Sequence, residues 1–132
     1  MSLPYGMLKT PHKKEKIVEK AVVITTDGSK EVVEFEVGGS YDLLQQKVGG
    51  WFQVVALEQR EADLWLNEEG KLNNLPRNPI ATSLFRSEYG DYDFIVGDVV
   101  ITGGVDDNGD TLGLTDEQVQ EFLAYQPRFT VI

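Results

Sequence analysis

The sequence predicts an α+β domain, a mainly antiparallel sheet of five to six strands with three short helices. Three observations predict it. Short apolar runs recur along the chain, and several are joined by connections too short to hold a crossover, so neighbouring strands pair antiparallel. Helix-start chemistry at Ser40, Asn78-Pro79 and Thr115 is interleaved between those runs. A chain of 132 residues without cysteine fits one domain whose single core needs no disulfide staple.

Residues 1–16 mix Pro, Gly and Lys without periodicity and read as a flexible arm, in which Met1-Ser2-Leu3 resembles an expression-vector remnant. The domain proper spans 17–126, and residues 127–132 read as a tail or edge strand through which two copies of the chain would associate. The only histidine, His12, falls in the arm, a poor position for a metal ligand or a general base.

The β-branched run at 17–26 meets the turn Asp27-Gly28-Ser29, and the alternation at 31–37 completes a hairpin. Its second strand carries carboxylates on one face and is therefore half exposed. Gly38-Gly39 ends it, and Ser40 is expected to cap a helix of about two turns with Tyr41, Leu44, Gln45 and Val48 along one side. Gly49 suits the left-handed residue that follows a helix. Because this glycine pair follows a helix rather than a strand, it is not a phosphate loop.

The densest pattern lies at 48–82 and contains both tryptophans. Trp51, Gln53, Val55 and Leu57 share one face of an extended run and Phe52, Val54 and Ala56 the other, which predicts a central strand covered on two sides. A strand at 62–66 returns beside it. The run Asn67-Glu68-Glu69-Gly70-Lys71 fits a type I turn of hairpin kind, closed by Gly70 at positive φ. In Leu75-Pro76-Arg77-Asn78-Pro79, Asn78 is a helix cap and Pro79 a first helical residue, starting a helix through Phe85 that turns Ile80, Leu84 and Phe85 inward. A polar linker at 87–93 leads to a strand at 94–102, where Gly97 marks a bulge that would either aim Asp98 into a pocket or tip its carboxylate into solvent. The last helix, at 116–125, presents Val119, Phe122 and Leu123 to the core and is stopped by Pro127.

The runs QQKVGGWFQVV, NEEGKL, LPRNPIAT and IVGDVVITG, in this order, resemble an uncharacterised domain family of phage, plasmid and bacterial proteins, a domain of unknown function. The resemblance covers about residues 21–122, and Gly49, Gly50, Asn67, Glu68, Gly70, Leu75, Asn78 and Ala81 match the shared pattern. It implies a mobile-element context and a host cytoplasm, and it brings no activity.

Composition removes several functions. Without cysteine there is no thiolate nucleophile and none of the common zinc sites, which suits a reducing cytoplasm. No run is long enough for a membrane span. Net charge is −10, and from Ala21 onward twenty acidic residues face seven basic ones. Between Arg86 and Arg128 there are ten carboxylates and no Lys or Arg, which argues against direct nucleic-acid binding.

Asp106, Asn108, Asp110 and Glu117 occupy positions one, three, five and twelve of a calcium loop. The glycine position holds Thr111, however, and Thr115 with Gln118 forms a capping box that starts a helix instead. No metal and no cofactor is expected.

These readings lead to a non-enzymatic accessory protein that works by binding a protein partner. One alternative is a small ligand-binding or enzymatic domain with a polar site at Asn67, Glu68, Arg77 and Asn78. There Glu68 and Glu69 would do acid/base work and Arg77, beside a helix N-terminus, would hold an anion. A second alternative is an acidic nucleic-acid mimic, which requires the carboxylates at 88–121 to lie on one face.

Overall fold

A computed structural model describes residues 17–127. The expected N-terminal arm with its lysines and His12, and the expected C-terminal tail or edge strand at 128–132, lie outside the described residues. The elements in chain order are strands β1 (Val18–Ile24) and β2 (Lys30–Glu36), helix α1 (Ser40–Lys47), strands β3 (Phe52–Leu57) and β4 (Ala62–Asn67), helix α2 (Pro79–Tyr89), strand β5 (Val99–Thr102) and helix α3 (Asp116–Ala124). They form a five-stranded sheet in the order β2-β1-β5-β4-β3, antiparallel throughout, in line with the expected α+β class. Each hairpin thus flanks one side of β5, whose four residues are all buried.

Alternation along the strands divides the core in two. Val22 and Ile24 of β1, Leu64 of β4 and Ile101 of β5 pack with Leu84 and Phe85 of α2 and Val119 and Phe122 of α3. On the other face Ala21, Val23 and Val100 meet Leu43 and Leu44 of α1. Each fully buried Val, Leu, Ile or Phe contributes about 1.5–3 kcal/mol of transfer free energy, so the larger, two-helix layer carries most of the stability.

Several expectations need correction. The run from Phe52 to Leu57 is an edge strand, not a central one, because β5 occupies the middle; Val54 is 46 % exposed. Ser40 does not cap α1: the cap position is Gly39, and the Ser40 hydroxyl bonds Thr111 Oγ1 at 3.1 Å, tying the helix to the distant loop. The buried side of α1 is Leu43 and Leu44, with Tyr41 turned outward at 62 % exposure.

Gly70 has no positive φ; a Cβ there would come within 2.7 Å of Val96 Cγ2, so close approach is what requires glycine. The turn it belongs to does not join two strands but winds on to Leu75, with Asn74 taking the left-handed conformation (φ 56°). Helix α2 continues past Phe85 to Tyr89. Strand β5 begins only at Val99, since Gly97 N–H is engaged by Pro76 O and Asp98 caps the first hairpin by accepting from Thr26 N at 3.0 Å, away from any pocket role. The capping box Thr115–Gln118 is formed as the sequence predicts.

Candidate functional site

The four polar residues singled out by the sequence do not meet at one point. Asn78 is fully buried. Its Nδ2 donates to Ile24 O (3.0 Å) and Gly97 O (2.9 Å), while its Oδ1 accepts from Ala81 N (3.0 Å). The amide therefore caps α2 and fastens it to β1 and to the approach to β5; both of its N–H groups are used, and complete burial keeps its oxygen from a ligand. Asn67 works similarly at the surface: Nδ2 reaches Gly49 O at 3.3 Å and Oδ1 accepts from Glu69 N at 2.8 Å. A Cβ on Gly50 would stand 3.4 Å from the same Nδ2. The residues marked by the family resemblance are thus mostly used to shape the main chain: Gly49, Gly50 and Asn67 at one junction, Gly70 and Leu75 at a second, Asn78 and Ala81 at a third.

Asn67 and Glu68 do share a concavity of about 170 Å³ with Gln53, Lys71, Asp93 and Phe94. Arg77 is outside it; its guanidinium stacks on Phe94 at 3.8 Å from the ring centroid, and Lys71 Nζ lies 4.4 Å from the same centroid. Lys71 also pairs with the Asp93 carboxylate. This hydrogen bond, with one from the Phe94 N–H, holds Asp93 below the usual carboxylate range. Asp93 is consequently a fixed anion, suited to positioning a cation or a donor and poorly suited to releasing a proton near neutral pH. The volume admits a small polar molecule; pockets for larger ligands start at about 300 Å³. Lys71 and Asp93 escaped the sequence reading because nothing in the sequence pairs two charges from separate loops.

A second, more apolar concavity of about 480 Å³ is lined by Tyr41, Gln45, Gly50, Trp51 and Phe52. Trp51 is 72 % exposed. From Tyr41 an aromatic series runs inward, Tyr41 to Phe52 and Phe52 to Trp65 each at 5.8 Å between centroids, and ends where Trp65 Nε1 donates to the buried Thr102 Oγ1 at 2.9 Å. The sequence reading assigned Tyr41 and Trp51 to inward faces. An outward signal was present in the Gly49-Gly50 pair, whose positive φ values (79° and 54°) swing the chain away from α1 just before Trp51.

Five of the ten carboxylates at 88–121 are tied to partners on separate parts of the chain. Glu88 of α2 accepts from Gln59 N, Asp93 pairs with Lys71, Asp98 caps a turn, Asp106 accepts from the N–H groups of Asn108 and Asp110, and Asp116 pairs with Lys20. No group of three or more potential metal ligands occurs among the described residues. Nor is any helix among them long and apolar enough to cross a membrane.

Together these features define a small acidic α+β protein with an antiparallel sheet, two helices on one face and an aromatic surface beside the single helix of the other. A family model matches residues 19–127, and the chain belongs to that family, the domain of unknown function DUF3846. Neither a curated protein nor a solved structure matches the chain.

Proposed function

We propose that the chain is a non-enzymatic protein-interaction module of the cytoplasm, carried by a phage or other mobile element, and that it acts through the surface formed by Tyr41, Trp51 and Phe52. The observation that carries this reading is the exposure of Trp51 and Tyr41 on either side of an apolar concavity. Large aromatic side chains left in water beside a hollow are what interaction hot spots are made of. The bonding of Asn67 and Asn78 supports the same reading, since their amides are committed to the main chain. The absence of cysteine suits a reducing compartment.

The test is affinity capture from a bacterial lysate with the intact chain and with Trp51→Ala. Expected is a partner retained by the wild type and weakened by about tenfold or more in the variant, as for a central aromatic anchor. Repeated captures that recover nothing, or a partner indifferent to Trp51→Ala, would overturn the reading.

A further inference from the structure

The two borders of the sheet differ in chemistry. Strand β2 carries Glu31, Glu34 and Glu36 within seven residues, the charged protection usual for a border that must not pair. Strand β3, FQVVAL, has no charge and no proline. Its outward main-chain groups follow from the register. Trp51 O accepts from Glu68 N at 2.8 Å, so Trp51, Gln53, Val55 and Leu57 turn their N–H and C=O toward β4. Phe52, Val54 and Ala56 therefore turn theirs away from the sheet. Among the described residues only the Tyr89 hydroxyl reaches this outer row, donating to Ala56 O at 2.5 Å.

The side chains of Phe52, Val54 and Ala56 lie on the α1 side of the sheet, where Phe52 opens onto the Tyr41–Trp51 hollow. An added strand would lay alternate side chains along this same face, with the first beside the hollow.

Charge indicates what the added strand carries at its ends. Next to Leu57 stands Glu58, and Glu88 accepts from Gln59 N at 3.1 Å; at the Phe52 end Glu68, whose own N–H meets Trp51 O, and Glu69 stand across the ladder on the β4 side. The Tyr89 hydroxyl is held above its ordinary value first by burial and then by Glu58, Glu88 and Asp63, which marks that end as electronegative. The neighbouring cations are engaged elsewhere: Arg60 lies over the Tyr125 ring, Lys71 pairs with Asp93, and Arg86 Nε donates to Asp93 O.

We propose that β3 is a strand-addition site whose occupant is an extended apolar segment of a partner protein, flanked by Lys or Arg, paired to the outer main-chain groups of Phe52 and Val54. Folded proteins commonly protect such a border; here, among the described residues, its outer row at Phe52 and Val54 is unpaired beside a hydrophobic hollow, with carboxylates near both ends of the strand. The inference rests on the interaction reading above and specifies the partner's chemistry.

The probe is a labelled synthetic peptide of alternating Val and Thr between lysine pairs, titrated into the full chain by fluorescence anisotropy. Val54→Pro removes an N–H that points out of the sheet, a position where proline is tolerated in an edge strand, whereas Val54→Ala keeps the N–H. Expected are binding to wild type and to Val54→Ala, a loss of about tenfold or more with Val54→Pro, and a similar loss when the peptide's lysines are replaced by Glu or its inward amides are N-methylated. A circular-dichroism melt of Val54→Pro close to wild type shows that the fold is intact. Should Val54→Pro unfold, the N-methylated peptide against wild type decides the question alone.

Strand addition is overturned if the peptide does not bind, or if binding ignores both proline and N-methylation. It is overturned equally if the unpaired row is found to join two copies of this chain, seen as a Val54-dependent dimer in sedimentation without peptide binding. In each of those cases a partner captured through Trp51 would leave the interaction reading standing, so the two failures are distinguishable.

Discussion

The hairpins β1–β2 and β3–β4 have the same number of strands and the same central neighbour, yet they are finished differently. The first is covered by α3 on one face and α1 on the other, and its outer border is acidic. The second is covered by α2 on one face; on the other α1 reaches only Phe52 and Trp65, and Val54 and, just before the strand, Trp51 are shown to water. Folding needs one such well-covered half to supply stability. The other half can then leave apolar surface and main-chain groups unpaired among the described residues, and the fold does not require them to stay so.

This contrast can be broken most severely at its seam. Asn78→Ala removes the cap of α2 together with the donor shared by Ile24 O and Gly97 O, and is expected to cost about 3 kcal/mol in urea unfolding. A cost under about 1 kcal/mol would mean that the halves are held together elsewhere.

A matched pair sharpens the contrast next. Val22→Ala, in the covered hairpin, should lose about 2 kcal/mol, while Val54→Ala, in the open one, should stay within about 0.5 kcal/mol. Equal losses would show that β3 is covered in solution.

The smallest effect concerns Asp63, which lies on the open side opposite Thr102. Burial raises its carboxyl above the ordinary value. A carboxyl with a raised folded-state pKa weakens the fold when ionised, and that penalty fades as pH falls through the folded-state value. Asp63→Asn should therefore stabilise by about 0.5 kcal/mol or less at neutral pH, with the gain vanishing in acid, as read from melting temperatures across pH. A gain that grows on acidification would reverse the assignment.

Much of the fold was legible because it depends on local chemistry. The Asp27-Gly28-Ser29 turn, the Asn78-Pro79 start and the Thr115–Gln118 box act over four residues or fewer and formed where the sequence put them. Strand order was not legible. Both faces of 51–57 looked apolar, which reads as a central strand, whereas the apolar side chains at Trp51 and Val54 face water and the centre went to the four short residues of β5. Alternation reports which side chains share a face but not which strand sits beside which. At the polar residues the backbone uses were legible, Asn78 as the helix cap and Asn67 in its turn, but their long-range partners were not: nothing local tells that the Asn78 amide also reaches Ile24 O and Gly97 O. The hollow at Trp51 depends on the turn geometry of Gly49 and Gly50, and the Lys71–Asp93 pair on the meeting of two loops, neither of which periodicity describes.

The series Tyr41, Phe52, Trp65 leaves the two tryptophans of the chain in opposite surroundings, one bathed in water and one bonded to a buried hydroxyl. Their emissions will differ in colour and in access to a dissolved quencher. The molecule thus contains its own pair of optical reporters: Trp51 signals what arrives at the surface, and Trp65 signals whether the interior has changed in response.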